Sequence, residues 1–140
     1  MTADTCPAPL RVLVYLWAFP TTVVGLLFVP LVLTRGGFQV VDGVLELYGG
    51  GVRAFLEKAS GFPGGVAAMT LGHVVLGTDR HALERSRAHE RIHVRQTERW
   101  GPFFLPAYLI ASLVALLRGR DAYRDNCFER EAFGRQGAEA

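Results

Sequence analysis

The sequence predicts an α+β domain carried on an N-terminal transmembrane helix. Three observations lead there. No charged residue occurs from Val12 to Thr34. The middle of the chain, residues 38–78, is rich in β-branched side chains and broken by glycines. The second half joins a strongly polar helical stretch, an uncharged run and a capped segment that carries Glu129 and Glu131. At 140 residues the chain holds one compact domain at most. Residues 1–35 are therefore read as a membrane anchor and 36–140 as a folded domain.

The uncharged N-terminal run is 23 residues long. As a helix it measures about 34 Å, enough to cross a bilayer. Pro20 and Pro30 would kink it, which membrane helices tolerate. Tyr15 and Trp17 suit one membrane interface. The run is longer than the apolar core of a cleaved signal peptide, and its exit, "VLTRGGF", lacks a small-residue cleavage pattern. Arg11 stands alone before it, whereas Arg35, Arg53 and Lys58 follow. The positive-inside rule then favours a cytoplasmic domain at an inner membrane. Cys6 and Cys127 fall on either side of the span and are expected as free thiols of a reducing compartment. The net charge of +2 and the absence of a basic, aromatic-interleaved stripe argue against a nucleic-acid partner.

Beyond the anchor, "FQVVDGVLELYGG" (Phe38 to Gly50) reads as one or two strands around Asp42-Gly43. "VRAFLEKAS" reads as a short helix stopped by "GFPGG". "VAAMTLGHVVLGT" (Val66 to Thr78) returns to strand character, giving a sheet of two to four strands. Thr78 or Asp79 can cap the polar helix, and Gly101-Pro102 ends it. Trp100 to Leu117 is a second uncharged run, of 18 residues. Asp125 or Asn126 can cap the last helix, with the tail expected to fray from Gly134.

Within the polar helix, His89, Glu90 and His93 form H-E-x-x-H. Helical residues four apart share a face, so the two imidazoles can meet one ion. Glu90 sits about 100° round the helix, placed to act on a water rather than on the metal. Zinc at such a site brings a water to a pKa near 7, and two imidazoles with a carboxylate suit that metal. A third ligand must follow, and Glu129 and Glu131 are the candidates. Two residues apart on a helix, they face nearly opposite sides, so only one can reach the ion. The bland alternative is a solvated arginine-rich helix. Zinc sharing would also forbid Trp100–Leu117 from crossing the bilayer, since His93 and Glu129 must stay on one side. That run is then re-entrant, interfacial or packed over the site.

"HERIHVRQTERWG" followed by "NCFEREAF" resembles the gluzincin zinc metallopeptidases. More narrowly, the chain is similar to small bacterial membrane proteins with H-E-x-x-H-V-x-Q, W-G-P-x-F-x-P-A-Y and Y-R-D-N-x-F-E-R-E-A. The resemblance covers Met69 to Phe133 and implies a minimal gluzincin-like domain. It implies Zn²⁺ held by His89, His93 and Glu129, with Glu131 in reserve, and Glu90 as the catalytic base. It also points to Gln96 as a supporting contact. His73, in "LGHVV", is a further candidate from the sheet edge, and His81 is read as surface. Two positions depart from the gluzincin pattern: Phe133 stands where an Asp often follows the ligand Glu, and Arg91 lies inside the motif. The expected activity is hydrolysis of a peptide or protein at a lipid membrane. The alternative from another class is a membrane-anchored interaction protein whose metal is structural or absent.

Overall fold

The computed structural model describes residues 7–58, 60–61 and 64–139; Cys6 lies outside them. The chain is a mixed α+β structure. Helix α1 (Ala8–Leu26) leads into a short 3-10 turn (Val29–Val32) and then the strands β1 (Gly36–Val41) and β2 (Val44–Gly49). Helix α2 (Gly50–Lys58), β3 (Ala68–Leu71) and β4 (Val74–Gly77) follow. The C-terminal half is α3 (Arg80–Trp100), a 3-10 turn (Gly101–Phe103), α4 (Phe104–Leu117) and α5 (Cys127–Glu139).

The sheet has the order β1-β2-β4-β3, with β2 parallel to β4 and both outer pairs antiparallel. Each outer pair is a two-residue hairpin. Asp42 and Gly43 have φ of 51° and 78°, the paired left-handed conformation that a tight hairpin loop demands. Strand alternation sorts the side chains to two faces. Leu47, Leu71, Val74 and Leu76 pack with Val52 and Leu56 of α2 and with Val32. On the opposite face Val44 and Val75 meet Leu83 and Val94 of α3. The sheet is thus sandwiched between α2 and α3, and β3 forms one of its edges.

Helix α3 begins where Asp79 Oδ1 accepts the Ala82 N–H at 2.7 Å. Although polar, it is central rather than solvated, because it presents different faces to different neighbours. Arg87, Arg91 and Val94 follow one another at helical spacing and face the sheet. There both arginines bond Glu46, which is only 1% exposed, and Arg91 also donates to the Val41 carbonyl. His89, His93 and Gln96 follow the same spacing roughly 200° away. Arg91 therefore points away from the histidine pair, which removes the conflict its place in the motif raises.

The uncharged N-terminal run does not form one helix. Helix α1 ends at Leu26, and Phe28, Val29 and Val32 turn into the core of the α2 face. Hydropathy alone does not distinguish core from lipid as a destination. A stripe of Ala18, Thr21 and Gly25 buries α1 against the domain. A Cβ on Gly25 would collide with Val74, so only glycine allows this approach. Thr21 Oγ1 donates to the Gly101 carbonyl, and Tyr15 to that of Gly43. The remaining faces of α1 are apolar and exposed, including Leu10, Leu13, Leu16 and Phe19. By length and composition, α1 and the helical stretch 80–117, taken together across its turn at Gly101, are both long and apolar enough to cross a membrane.

The second uncharged run folds as a 14-residue helix after Gly101 breaks direction at φ 59°. The chain then returns, so that α5 packs beside α3. Asn126 holds this return. Its Nδ2 donates to the Tyr108 carbonyl and Ser112 Oγ, while its Oδ1 caps α5 at the Phe128 N–H. Helix α5 continues to Glu139 instead of fraying from Gly134. Gln136 lies against His89 and Arg135 pairs with Glu131, which ties down that last stretch.

Candidate metal centre

The turn between α4 and α5 brings Glu129 to the histidine pair. Glu129 Oε2 lies 3.0 Å from His89 Nε2 and 3.2 Å from His93 Nε2, and the two nitrogens are 3.1 Å apart. All three residues are buried. Bonds of roughly 2 Å at tetrahedral angles would set ligand atoms about 3.3 Å apart. The observed triangle matches that spacing, so the three atoms could hold one ion.

Hydrogen bonding on the outer side of His93 also fits a metal. Gln96 Nε2 donates to the Phe128 carbonyl at 3.0 Å and to Glu131 Oε2 at 2.9 Å. Its Oε1 must therefore face His93 Nδ1, 2.8 Å away, and accept a proton from it. In the neutral ring this leaves the Nε2 lone pair directed at the centre. His89 Nδ1 faces Gln136 Oε1 at 3.3 Å. Two imidazole nitrogens and a carboxylate oxygen thus converge on one point, where either a ring proton or a bound cation can bridge them. Tyr108 steadies the carboxylate, its hydroxyl donating to Glu129 Oε1 at 2.6 Å.

The charge balance points the same way. Burial would lift the Glu129 carboxyl, but hydrogen bonds from His89 and His93 hold it at about 2. Burial would lower the His93 imidazole, yet Glu129 pushes it up to about 9. The Glu129 carboxylate and the His93 imidazole thus hold opposite charges against each other in a buried setting. Glu90 is raised by burial, against the pull of His93 and of Thr70. Its Oε2 accepts the Thr70 hydroxyl at 2.7 Å. Glu90, His93, Glu129 and Tyr108 line a common cavity of about 200 Å³, bordered by Thr70 on edge strand β3.

The structure thus brings together His89, His93 and Glu129, with Glu90 on the shared cavity and Gln96 behind His93. Glu131 does not join them. It faces away from the centre, to Gln96, Arg99 and Arg135. His73 is engaged elsewhere: Nε2 meets Glu98 at 2.8 Å and the ring stacks on Tyr15 at 3.8 Å. His81 is at the surface, and Cys127 is an exposed free thiol. Tyr108, Thr70 and Gln136 were not singled out from sequence. The P-A-Y of the resemblance contained Tyr108, but its role depends on how α4 folds back. Comparison of the chain with protein-family models, curated proteins and solved structures finds no match.

Proposed function

We propose that the chain is a membrane-associated, zinc-dependent metallohydrolase acting on peptides. The observation that carries this reading is the buried triangle of His89, His93 and Glu129 with Glu90 on the same cavity. Bound zinc would polarise a substrate carbonyl and bring a water's pKa near neutrality. With zinc held there, Glu90 would accept a proton from the attacking water as its oxygen adds to the carbonyl carbon, and would return that proton to the amine nitrogen as the C–N bond breaks. Its burial favours this role by raising its basicity. Thr70 fixes the orientation of the Glu90 carboxylate, while Gln96 keeps His93 Nε2 available to the metal. The free edge of β3 runs along the cavity and offers backbone groups to an extended chain. The apolar surface of α1 supports membrane association.

Glu90→Gln tests the catalytic half of this proposal. Hydrolysis of a fluorogenic peptide library should fall by about 10²-fold or more, with zinc retained. Unchanged hydrolysis would overturn the assignment of Glu90, and no zinc-dependent hydrolysis by the wild-type chain would overturn the peptidase reading.

A further inference from the structure

Helix α4 is apolar almost all round, and its polar groups turn inward. Tyr108 bonds Glu129, and Ser112 Oγ accepts from Asn126. The outer face consists of Leu109, Ile110, Leu113, Val114, Leu116 and Leu117, with Leu117 78% exposed. A helix apolar on every side belongs in a protein core or in lipid. With 14 residues, or about 21 Å, α4 falls short of the roughly 30 Å hydrocarbon thickness. Thr21 bonds Gly101 three residues before α4, and Asn126 at the start of α5 bonds Tyr108 and Ser112 midway along it, so the chain entering and leaving α4 is tied to the rest of the domain.

The surroundings indicate the solvent this face meets. Exposed Trp17 of α1 lies beside exposed Phe103, ring centres 6.1 Å apart. The apolar surfaces of α1 and α4 are therefore continuous across an aromatic junction of the kind found at membrane interfaces. Beyond the other end of α4 come Arg118, Arg120 and Arg124, all exposed. Asp121 and Asp125 in that loop turn their carboxylates onto backbone N–H groups. A groove of about 1190 Å³ runs from Arg120 and Arg124 to His89 and Glu90. Arg85, Arg120 and Arg124 contribute to its lining together with Leu109 and Leu116, which also belong to the apolar face.

We propose that α4 seats its outer face in one leaflet of an anionic bilayer without crossing it, so that this groove opens at the headgroup layer. Arginines at the groove meet lipid phosphates, while the leucines meet acyl chains. Combined with the hydrolase reading, on which this clause alone rests, the substrate is a peptide lying at the lipid surface and entering the groove sideways.

The test uses the full chain in vesicles of phosphatidylcholine and phosphatidylglycerol, with Cys6 and Cys127 replaced by serine. A nitrobenzoxadiazole label is placed on Leu113→Cys or Leu117→Cys, and on exposed His81→Cys as a control. The proposal expects both α4 labels to be shielded from aqueous iodide and quenched most by lipid carrying a nitroxide near the headgroup. The control should be reached by iodide. Three results would overturn it. Iodide access equal to the control would put α4 in water. Shielding from both quenchers would mean that another protein or a second copy covers it. Strongest quenching by a nitroxide at the acyl end would mean a crossing. None of these readouts involves metal or turnover, so failure here leaves the hydrolase reading standing.

Discussion

Gln96 determines which nitrogen of His93 faces the centre. Its amide is oriented by Phe128 and Glu131, so its oxygen accepts a hydrogen bond from His93 Nδ1–H. Gln96→Leu should keep the fold yet lower zinc affinity by about 10–100-fold, the usual scale for a hydrogen-bond partner of a ligand. Competition titration against a chelator measures this. Tyr108→Phe should shift affinity the same way, since the Glu129 carboxylate loses its 2.6 Å donor. His89 and His93 were legible in the sequence because i, i+4 spacing on a helix is a local property. The choice between Glu129 and Glu131 was not. Spacing put them on opposite faces, and only the packing of α5 on α3 decides which face turns inward. Glu131, bonded to the amide of Gln96, supports the centre from outside it.

At the scale of elements, α3 is held by a cap at its start and by an ion cluster along its sheet face. Asp79→Ala should lower the midpoint of a denaturant titration, because the Ala82 N–H loses its cap. Glu46→Gln should lower it further, because Arg91 and Arg87 lose the carboxylate that balances their charge. The turn at Asp42-Gly43 and the two cap regions, each narrowed to a pair of residues that included Asp79 and Asn126, could be read from residue type, since glycine and Asx chemistry act within a few residues; the turn at Gly72-His73 was not singled out. The division of the first apolar run could not. Val32 enters a core built from β2 and α2, whereas Leu13 and Leu16 stay outside, and all are equally apolar. Persistence of α5 past Gly134 likewise depends on distant partners, His89 for Gln136 above all.

The whole molecule is a sandwich whose C-terminal helices fold back over one face of α3. The requirement that His93 and Glu129 come together follows from metal-bond lengths, and the 3.2 Å between them meets it. Acid sensitivity is a global consequence of the Glu46 cluster. Burial favours the neutral carboxyl, but Arg87 and Arg91 hold it below its ordinary 4.5 in the folded chain. The folded state thus binds this proton less readily than the unfolded one. Its share of stability is complete above about pH 4.5 and is lost as pH falls through the folded value. Thermal melts across that window should decline less steeply for Glu46→Gln than for the wild type.

The central claim is that two imidazoles and one carboxylate hold a single ion. Elemental analysis of the purified full chain tests it most directly, after equilibration with zinc and removal of excess, beside His93→Ala, Glu129→Ala and Glu131→Ala. The account predicts stoichiometric zinc in the wild type and in Glu131→Ala, and its loss from the other two. Zinc that survives both His93→Ala and Glu129→Ala, or a wild-type chain that takes up none, would contradict it.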